Sequence, residues 1–240
     1  MPFNSKSMKA AKLIFIVCAL LAGIMVISVI IMNFTGYISA LKTTSVSMEP
    51  SIKRGQSFFV YKTSAFKRGD IAAYRYKPKE NTDSTNIVLA ISRVAGIGKD
   101  KIQLKRGLLY VNDTLRDDSL KRYFFFMVSQ NDLPANTNFC IENSNFFPEE
   151  DSAIINTTYT EIEKLNLKGI ARRFFSPYCA GYRMFENSKE SWTLEDFGPV
   201  YVPQDCYFLI GDNRSNSSDS RINGFVRKSE MEGKVILLRK

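Results

Sequence analysis

The sequence predicts a mostly-β domain carried on a single N-terminal transmembrane helix, with a smaller lobe inserted into the domain. Three observations predict it. An uncharged apolar run fills residues 13–32, segments rich in β-branched and aromatic residues recur over residues 56–111 and again after residue 206, and a polar, irregular stretch at 112–196 lies between them. With 240 residues, 45% of them hydrophobic, the chain has room for one membrane segment and one domain with a core of its own.

The apolar run, Leu13 to Met32, holds 20 residues without a charge. At about 1.5 Å per residue it spans the roughly 30 Å hydrocarbon core of a bilayer. Lys6, Lys9 and Lys12 precede it with no acidic residue among them, so the positive-inside rule puts residues 1–12 in the cytoplasm and the domain outside. Lys42, Lys53 and Arg54 on the far side oppose that vote. A cleaved signal peptide is the competing reading, with Ile38-Ser39-Ala40 as a poor cleavage site. The run is longer than the usual apolar region of about 7–15 residues, which favours an uncleaved anchor. Residues 33–43 then read as a linker and 44–240 as the domain.

Within the domain, Gln56–Tyr61 and Asp70–Tyr76 read as strands bounded by Arg54-Gly55 and Arg68-Gly69, and Ile87–Ala95 as a third ending in the turn Gly96-Ile97-Gly98-Lys99-Asp100. Lys101–Leu104 and Leu108–Val111 pair as a hairpin around Arg106-Gly107. In the polar stretch, Tyr123–Val128 is a strand candidate, and Thr160-Glu161-Ile162-Glu163 matches a capping box that would start a short helix. Tyr207–Ile210 and Gly233–Leu238 return to strand character. No chemistry is assigned to the inserted lobe, residues 112–196.

Composition removes several function classes. There is no histidine, which excludes a Ser-His-Asp triad, a Cys-His dyad and every His-ligated metal centre. The four cysteines, Cys18, Cys140, Cys179 and Cys206, are too widely spaced for a zinc site. Cys18 lies in the apolar run, and the other three leave one unpaired in any pairing, so nothing selects a disulfide. A net charge of +9 suits an anionic partner. Lys53-Arg54, Lys67-Arg68 and Arg172-Arg173 read as solvated faces, with attraction to anionic lipid headgroups as the second reading. No basic helix carries a nucleic-acid signature, so no nucleic-acid partner is expected.

Two stretches concentrate chemistry. Thr44-Ser45-Val46-Ser47-Met48-Glu49-Pro50 is a polar turn whose Ser47 stands 15 residues past Met32, close to the membrane surface. Far downstream, Gly211-Asp212-Asn213-Arg214-Ser215-Asn216-Ser217-Ser218-Asp219-Ser220-Arg221 is dense in charges and hydroxyls able to build a polar network. A serine needs a neighbouring base, and without histidine that base is Lys, Asp, Glu or an N-terminal amine. A lysine serves when burial in apolar surroundings disfavours its charged form.

Together these stretches resemble the bacterial type I signal peptidases, membrane-bound serine proteases with a Ser-Lys dyad. The likeness covers the membrane segment, about Thr44 to Val111, and Phe197 to the end, where Phe197-Gly198-Pro199-Val200-Tyr201-Val202-Pro203 fits the approach to the Gly211 loop. It implies a β-rich catalytic domain on the outer face of the bacterial cytoplasmic membrane, anchored in the bilayer by one span. It implies signal peptides of exported preproteins as substrates, the secretion machinery as a partner, and no cofactor or metal. Small residues at the first and third positions before the cut would be selected. By resemblance Ser47 is the nucleophile, the Ser47 N–H and the Ser45 hydroxyl form the oxyanion hole, and Ser217 bonds the lysine amine. Arg93, Asp212, Arg214, Asp219 and Arg221 fall among structural polar partners, and Met48 and Pro50 shape the turn and the substrate wall.

One position departs from this pattern. The family places its lysine ahead of Arg-x-x-Gly-x-Pro-Gly-Asp, and here that stretch is Ser92-Arg93-Val94-Ala95-Gly96-Ile97-Gly98-Lys99-Asp100. Ser92 stands where the lysine belongs, Gly98-Lys99 replaces Pro-Gly, and Ser215 stands where aspartate is common. No lysine occurs between Lys79 and Lys99, and Lys99 lies seven residues on, about 23 Å along an extended strand. A proton relay through Ser92, an amine from the inserted lobe, and an amine from Lys99 or Lys101 in a folded-back turn are the ways a base could be supplied. A homologue that binds exported proteins or a secretion partner without cutting them is the alternative function. A DNA-binding or self-cleaving regulator built on a related Ser-Lys core is argued against by the apolar run and the absent lysine.

Overall fold

The computed structural model describes residues 5–34, 36–77, 87–117, 121–133, 152–174 and 192–237, and its chain divides into two bodies, residues 1–40 and 41–240. Helix α1, Ser5–Phe34, makes up most of the first. Its segment Ala11–Ile31 is long and apolar enough to cross a membrane, and its described side chains are exposed and apolar all round rather than divided into an apolar and a polar face. Inside it the Ser28 hydroxyl donates to the Ile24 carbonyl at 2.8 Å, so its polar group is satisfied within the helix.

The stretch expected as a linker contains a strand, β1 (Ile38–Lys42), which ends in the second body. The expected strands then follow as β2 (Ser57–Tyr61), β3 (Ile71–Tyr76), β4 (Val88–Ile97), β5 (Lys101–Lys105) and β6 (Leu108–Val111). After them come β7 (Thr114–Leu115), β8 (Phe124–Ser129), β9 (Ser152–Thr157), α2 (Tyr159–Lys164) and β10 (Arg172–Arg173). The chain closes with β11 (Phe197–Tyr201), β12 (Cys206–Ile210), α3 (Ser220–Asn223), β13 (Val226–Arg227) and β14 (Met231–Ile236). A seven-stranded sheet runs in the order β1-β2-β14-β3-β4-β12-β13, a four-stranded one β11-β5-β6-β7, and a three-stranded one β10-β8-β9.

Alternation along β4 positions the site. Ala72 of β3 pairs with Ser92 and Ile71 with Arg93, while Ile210, the last residue of β12, also stands opposite Arg93. Neighbouring residues of a strand point to opposite faces, so Ser92 and Arg93 serve different sides of the sheet. β12 releases the chain into the Gly211 loop beside them.

Separate apolar clusters hold the sheets. Met48, Ile52, Phe58, Val60, Ala73, Ile91 and Val235 lie on one side, and Ile102, Leu104, Phe197, Phe208 and Ile210 join the four-stranded sheet to β12. Each such large side chain, fully buried, stabilises by roughly 1.5–3 kcal/mol. The described residues of the inserted lobe have a core of their own, formed by Phe124, Phe126, Ile155, Ile162 and Leu167. Its helix starts earlier than the capping box implied, because Thr158, not Thr160, is the N-cap and its hydroxyl accepts from the Glu161 N–H at 3.1 Å. Cys18 and Cys206 are free thiols, whereas Cys140 and Cys179 lie outside the described residues.

Candidate active site

The Ser47 turn is held from behind by the Gly211 loop. The Asn213 N–H donates to the Ser47 carbonyl at 3.0 Å, and Asn213 Nδ2 donates to the Val46 carbonyl at 3.3 Å. Contact is so close at Gly211 that a Cβ there would stand 2.1 Å from Ser217 Oγ and 2.7 Å from the Ser47 carbonyl oxygen. Only glycine fits between them. Met48, expected on the substrate wall, is 1% exposed, packs in the apolar cluster with Ile52 and Phe58, and does not line the cavity beside Ser47. Pro50, half-buried, does not line the cavity beside Ser47 either.

That cavity has a volume of about 280 Å³ and is lined by two extended segments, Leu41 to Ser45 and Val88 to Ser92, together with Ser47, Phe58, Tyr76 and Ser218. The structure therefore brings Ser45, Ser47 and Ser92 to one cavity. The expected oxyanion donors are spent on each other: the Ser47 N–H donates to Ser45 Oγ at 3.1 Å, and Ser45 Oγ donates to Ser47 Oγ at 3.1 Å. A substrate carbonyl oxygen would exchange with the Ser45 oxygen for the same N–H.

Ser92 is 2% exposed, and its hydroxyl shares a 3.3 Å hydrogen bond with Tyr74 Oη. Burial pushes the Tyr74 phenol well above its ordinary pKa; the bond to Ser92 works the other way, and the charges of Asp219 and Tyr76 add to the rise. Both partners are thus neutral at physiological pH and neither is a base. Ser217 falls nearby through Gly211, and its buried Oγ has no hydrogen-bond partner. An orphaned buried hydroxyl costs about 1–3 kcal/mol. It is the group that the resemblance pairs with a lysine amine.

Among the described residues, none of the expected sources of an amine lines the cavity beside Ser47. Lys99 has its backbone N–H donating to the Val202 carbonyl at 2.8 Å, and Lys101 is ion-paired with Asp113 at 2.8 Å. Lys164 pairs with Glu161 and Lys168 with Glu163 within the lobe. Among the described residues, Lys42 is the one lysine lining the cavity, and its Cε lies 3.8 Å from where a Cβ at Gly55 would stand, outside the cavity lining. Sequence reading had counted Lys42 only as a charge.

The charged residues form a framework. Arg93 forks onto Asp212 (Nε to Oδ1 at 2.8 Å, Nη2 to Oδ2 at 2.5 Å), and the Ser51 hydroxyl donates to the same carboxylate at 2.5 Å. Burial alone would raise the Asp212 pKa; the hydrogen bonds and charge of Arg93, the charge of Arg122 and the Ser51 bond outweigh it and hold it below the ordinary value. Asp219 and Arg221 are a second pair, at 2.7 Å with both side chains fully buried, and Asp219 also accepts from the Gly211 N–H at 2.9 Å. Arg221 likewise keeps Asp219 low against complete burial. Arg214 is bidentate on Asp117, and Ser215 Oγ accepts from the Phe125 N–H and donates to Glu195 Oε1, each at 3.1 Å. Ser51, Tyr74, Asp117, Arg122 and Asn213 escaped the sequence reading. Only the density of charge around the Gly211 loop hinted that carboxylate partners had to exist elsewhere.

Residues 8–238 match the family described as signal peptidase, peptidase S26. The chain is 27% identical over 237 residues to signal peptidase I P of Bacillus subtilis subsp. natto, covering 96% of this chain and 91% of that protein. It is 26% identical over 197 residues to signal peptidase I of Bacillus licheniformis, covering 78% of this chain and 68% of that one. A solved signal peptidase I from Enterococcus faecalis is 21% identical and aligns with a TM-score of 0.34 over 72% of this chain and 97% of its own. With a match running through nearly its whole length, from the apolar helix past the last strand, this chain belongs to the signal peptidase family, peptidase S26.

Proposed function

We propose that the chain is a membrane-anchored serine peptidase that removes N-terminal signal peptides from exported proteins, with Ser47 as nucleophile. The observation that carries this reading is the Ser47 cavity, where the nucleophile faces a slot between two extended segments, Leu41 to Ser45 and Val88 to Ser92. An extended peptide lying between them would gain main-chain hydrogen bonds and present alternate side chains to the apolar lining. The limited volume suits small side chains before the cut. Ser47 N–H and Ser45 Oγ would turn from each other to the developing oxyanion. Asp212, Arg93, Asp219 and Arg221 hold the turn and take no part in bond breaking. The helix Ala11–Ile31 anchors the protein in the bilayer, with residues 1–12 cytoplasmic and the domain on the outer face, near the secretion machinery that delivers its substrates.

A second reading rests on one observation: among the described residues, no lysine amine is placed against Ser47. On that reading the protein holds signal peptides or a secretion partner without hydrolysing them. Incubating the detergent-solubilised full chain with a signal-peptide-bearing preprotein, beside Ser47→Ala, separates the two. A product whose new N-terminus lies at the signal-peptide junction, absent with Ser47→Ala, upholds hydrolysis. Binding of the preprotein without product by either form selects the second reading.

A further inference from the structure

The opposite face of β4 carries a second cavity, of about 330 Å³, into which five arginines converge: Arg68, Arg93, Arg116, Arg122 and Arg214, with Asp117 as the one acidic residue in its lining. Three of the five are committed. Arg68 forks onto Asp100 at 2.6 and 2.5 Å, Arg93 onto Asp212, and Arg214 onto Asp117. Each fork occupies the oxygens of its carboxylate. Arg122 reaches the same carboxylates only at ion-pair distance: its Nε lies 3.5 Å from Asp117 Oδ1 and 3.5 Å from Asp212 Oδ1, and this buried N–H makes no hydrogen bond. Arg116 is exposed at the cavity and has no carboxylate partner among the described residues.

Among the described residues, five guanidiniums thus face three carboxylates, and positive charge is in excess. The field is felt at Arg122, whose proton is held less tightly than an ordinary arginine's: burial is the main cause, and the charges of Arg214 and Arg93 add to it against the pull of Asp212 and Asp117. Its two ion pairs are long, and a buried N–H left without a hydrogen bond is costly. A single anion with several oxygens would meet the orphaned donor and the surplus charge together, and planar guanidinium forks match phosphate oxygens two at a time.

We infer that this cavity is a binding site for a phosphate-type oxyanion, held by Arg122 and Arg116 and framed by the three paired arginines. Two sources share that chemistry, the free ion and the phosphate of an anionic lipid headgroup. The site is separate from the Ser47 cavity, since Ser92 lines one and Arg93 the other.

The test titrates inorganic phosphate into the full chain in neutral detergent at fixed ionic strength, following heat and melting temperature. Phosphate should bind and raise Tm where chloride does not, and Arg116→Ala and Arg122→Gln should each weaken binding about tenfold, the scale of one charge-assisted hydrogen bond. If Arg122→Gln fails to fold, Arg116→Ala, an exposed position, decides. A response to phosphate no greater than to chloride, or unchanged binding in the variants, overturns the site. Dihexanoylphosphatidylglycerol and its phosphatidylcholine counterpart, as soluble monomers, separate the sources. Tighter binding of the glycerol lipid than of phosphate assigns the site to headgroups, and weaker binding to the free ion. Equal binding of both lipids with no response to phosphate shows apolar adsorption and overturns it.

Discussion

One step along β4 separates two electrostatic worlds. On the Ser92 side, the cavity beside Ser47 is lined by the hydroxyls of Ser45, Ser47 and Ser92, and Tyr74, the phenol bonded to Ser92, is held neutral. On the Arg93 side, guanidiniums crowd a handful of carboxylates and one buried donor goes without a partner. The charged side fixes the Ser47 turn through Asp212, Asn213 and Gly211, while on the neutral side Ser47 and Ser92 have hydroxyl partners and no base among the described residues. Scaffold and reactivity are thus physically separable here, and each can be perturbed without the other.

The largest stability effects should come from the charged side. Asp212→Asn and Asp219→Asn each leave a buried guanidinium short of its counter-charge and should cost about 3–5 kcal/mol in denaturant unfolding, whereas Ser92→Ala should stay near 1 kcal/mol. Equal losses on the two sides would break the comparison. Acid should act on the same groups. Asp212, Asp219 and Asp100 all have lowered native pKa values, so their contribution is fully present above the unfolded carboxylate value near pH 4 and is lost as pH falls through the lower native values. Unfolding free energy followed downward from pH 5 should therefore fall steeply below about pH 4, and the Asp212→Asn variant should show a shallower fall.

Next in size is the contact joining the two sides. Gly211→Ala places a Cβ against Ser217 Oγ and the Ser47 carbonyl, both under 3 Å. Overpacking of this kind costs about 1–3 kcal/mol, and cleavage should drop more than the stability loss explains because the Ser47 turn itself is pushed. Smallest is the turn after β4. Lys99 takes φ 75°, in the left-handed region, at the place where the resemblance expects glycine. Lys99→Gly should raise stability by about 1 kcal/mol and leave cleavage unchanged, which also tests its exclusion as the base.

Much of this was legible in the sequence. The strands with clear boundaries, from Ser57 to Val111 and at Cys206–Ile210, follow from their β-branched and aromatic content between glycine turns. The Ser47 turn, the Gly211 loop and the serine at the lysine position were readable as residues in order. The lobe was not, because β9 offers only Ala153-Ile154-Ile155 before Asn156 and Thr157, polar residues that the fold nevertheless buries. Nor were Asp117 and Arg122 readable. Their role exists only once β4, β12 and the start of β8 bring them to Asp212 and Arg214, and no local pattern encodes that meeting. Met48 misled for a related reason, since a side chain next to a nucleophile can as well point into the core.

We propose that the Ser47 site lacks only an amine at position 92. The direct test compares preprotein cleavage rates of the wild type, Ser92→Lys and Ser47→Ala, purified in detergent. Supplying a general base contributes about 10²–10⁴-fold, so Ser92→Lys should cut at least a hundredfold faster than wild type, with Ser47→Ala inactive. A wild type that cuts as fast as Ser92→Lys, with Ser47→Ala dead, would contradict the claim and show that a base reaches Ser47 from elsewhere in the chain.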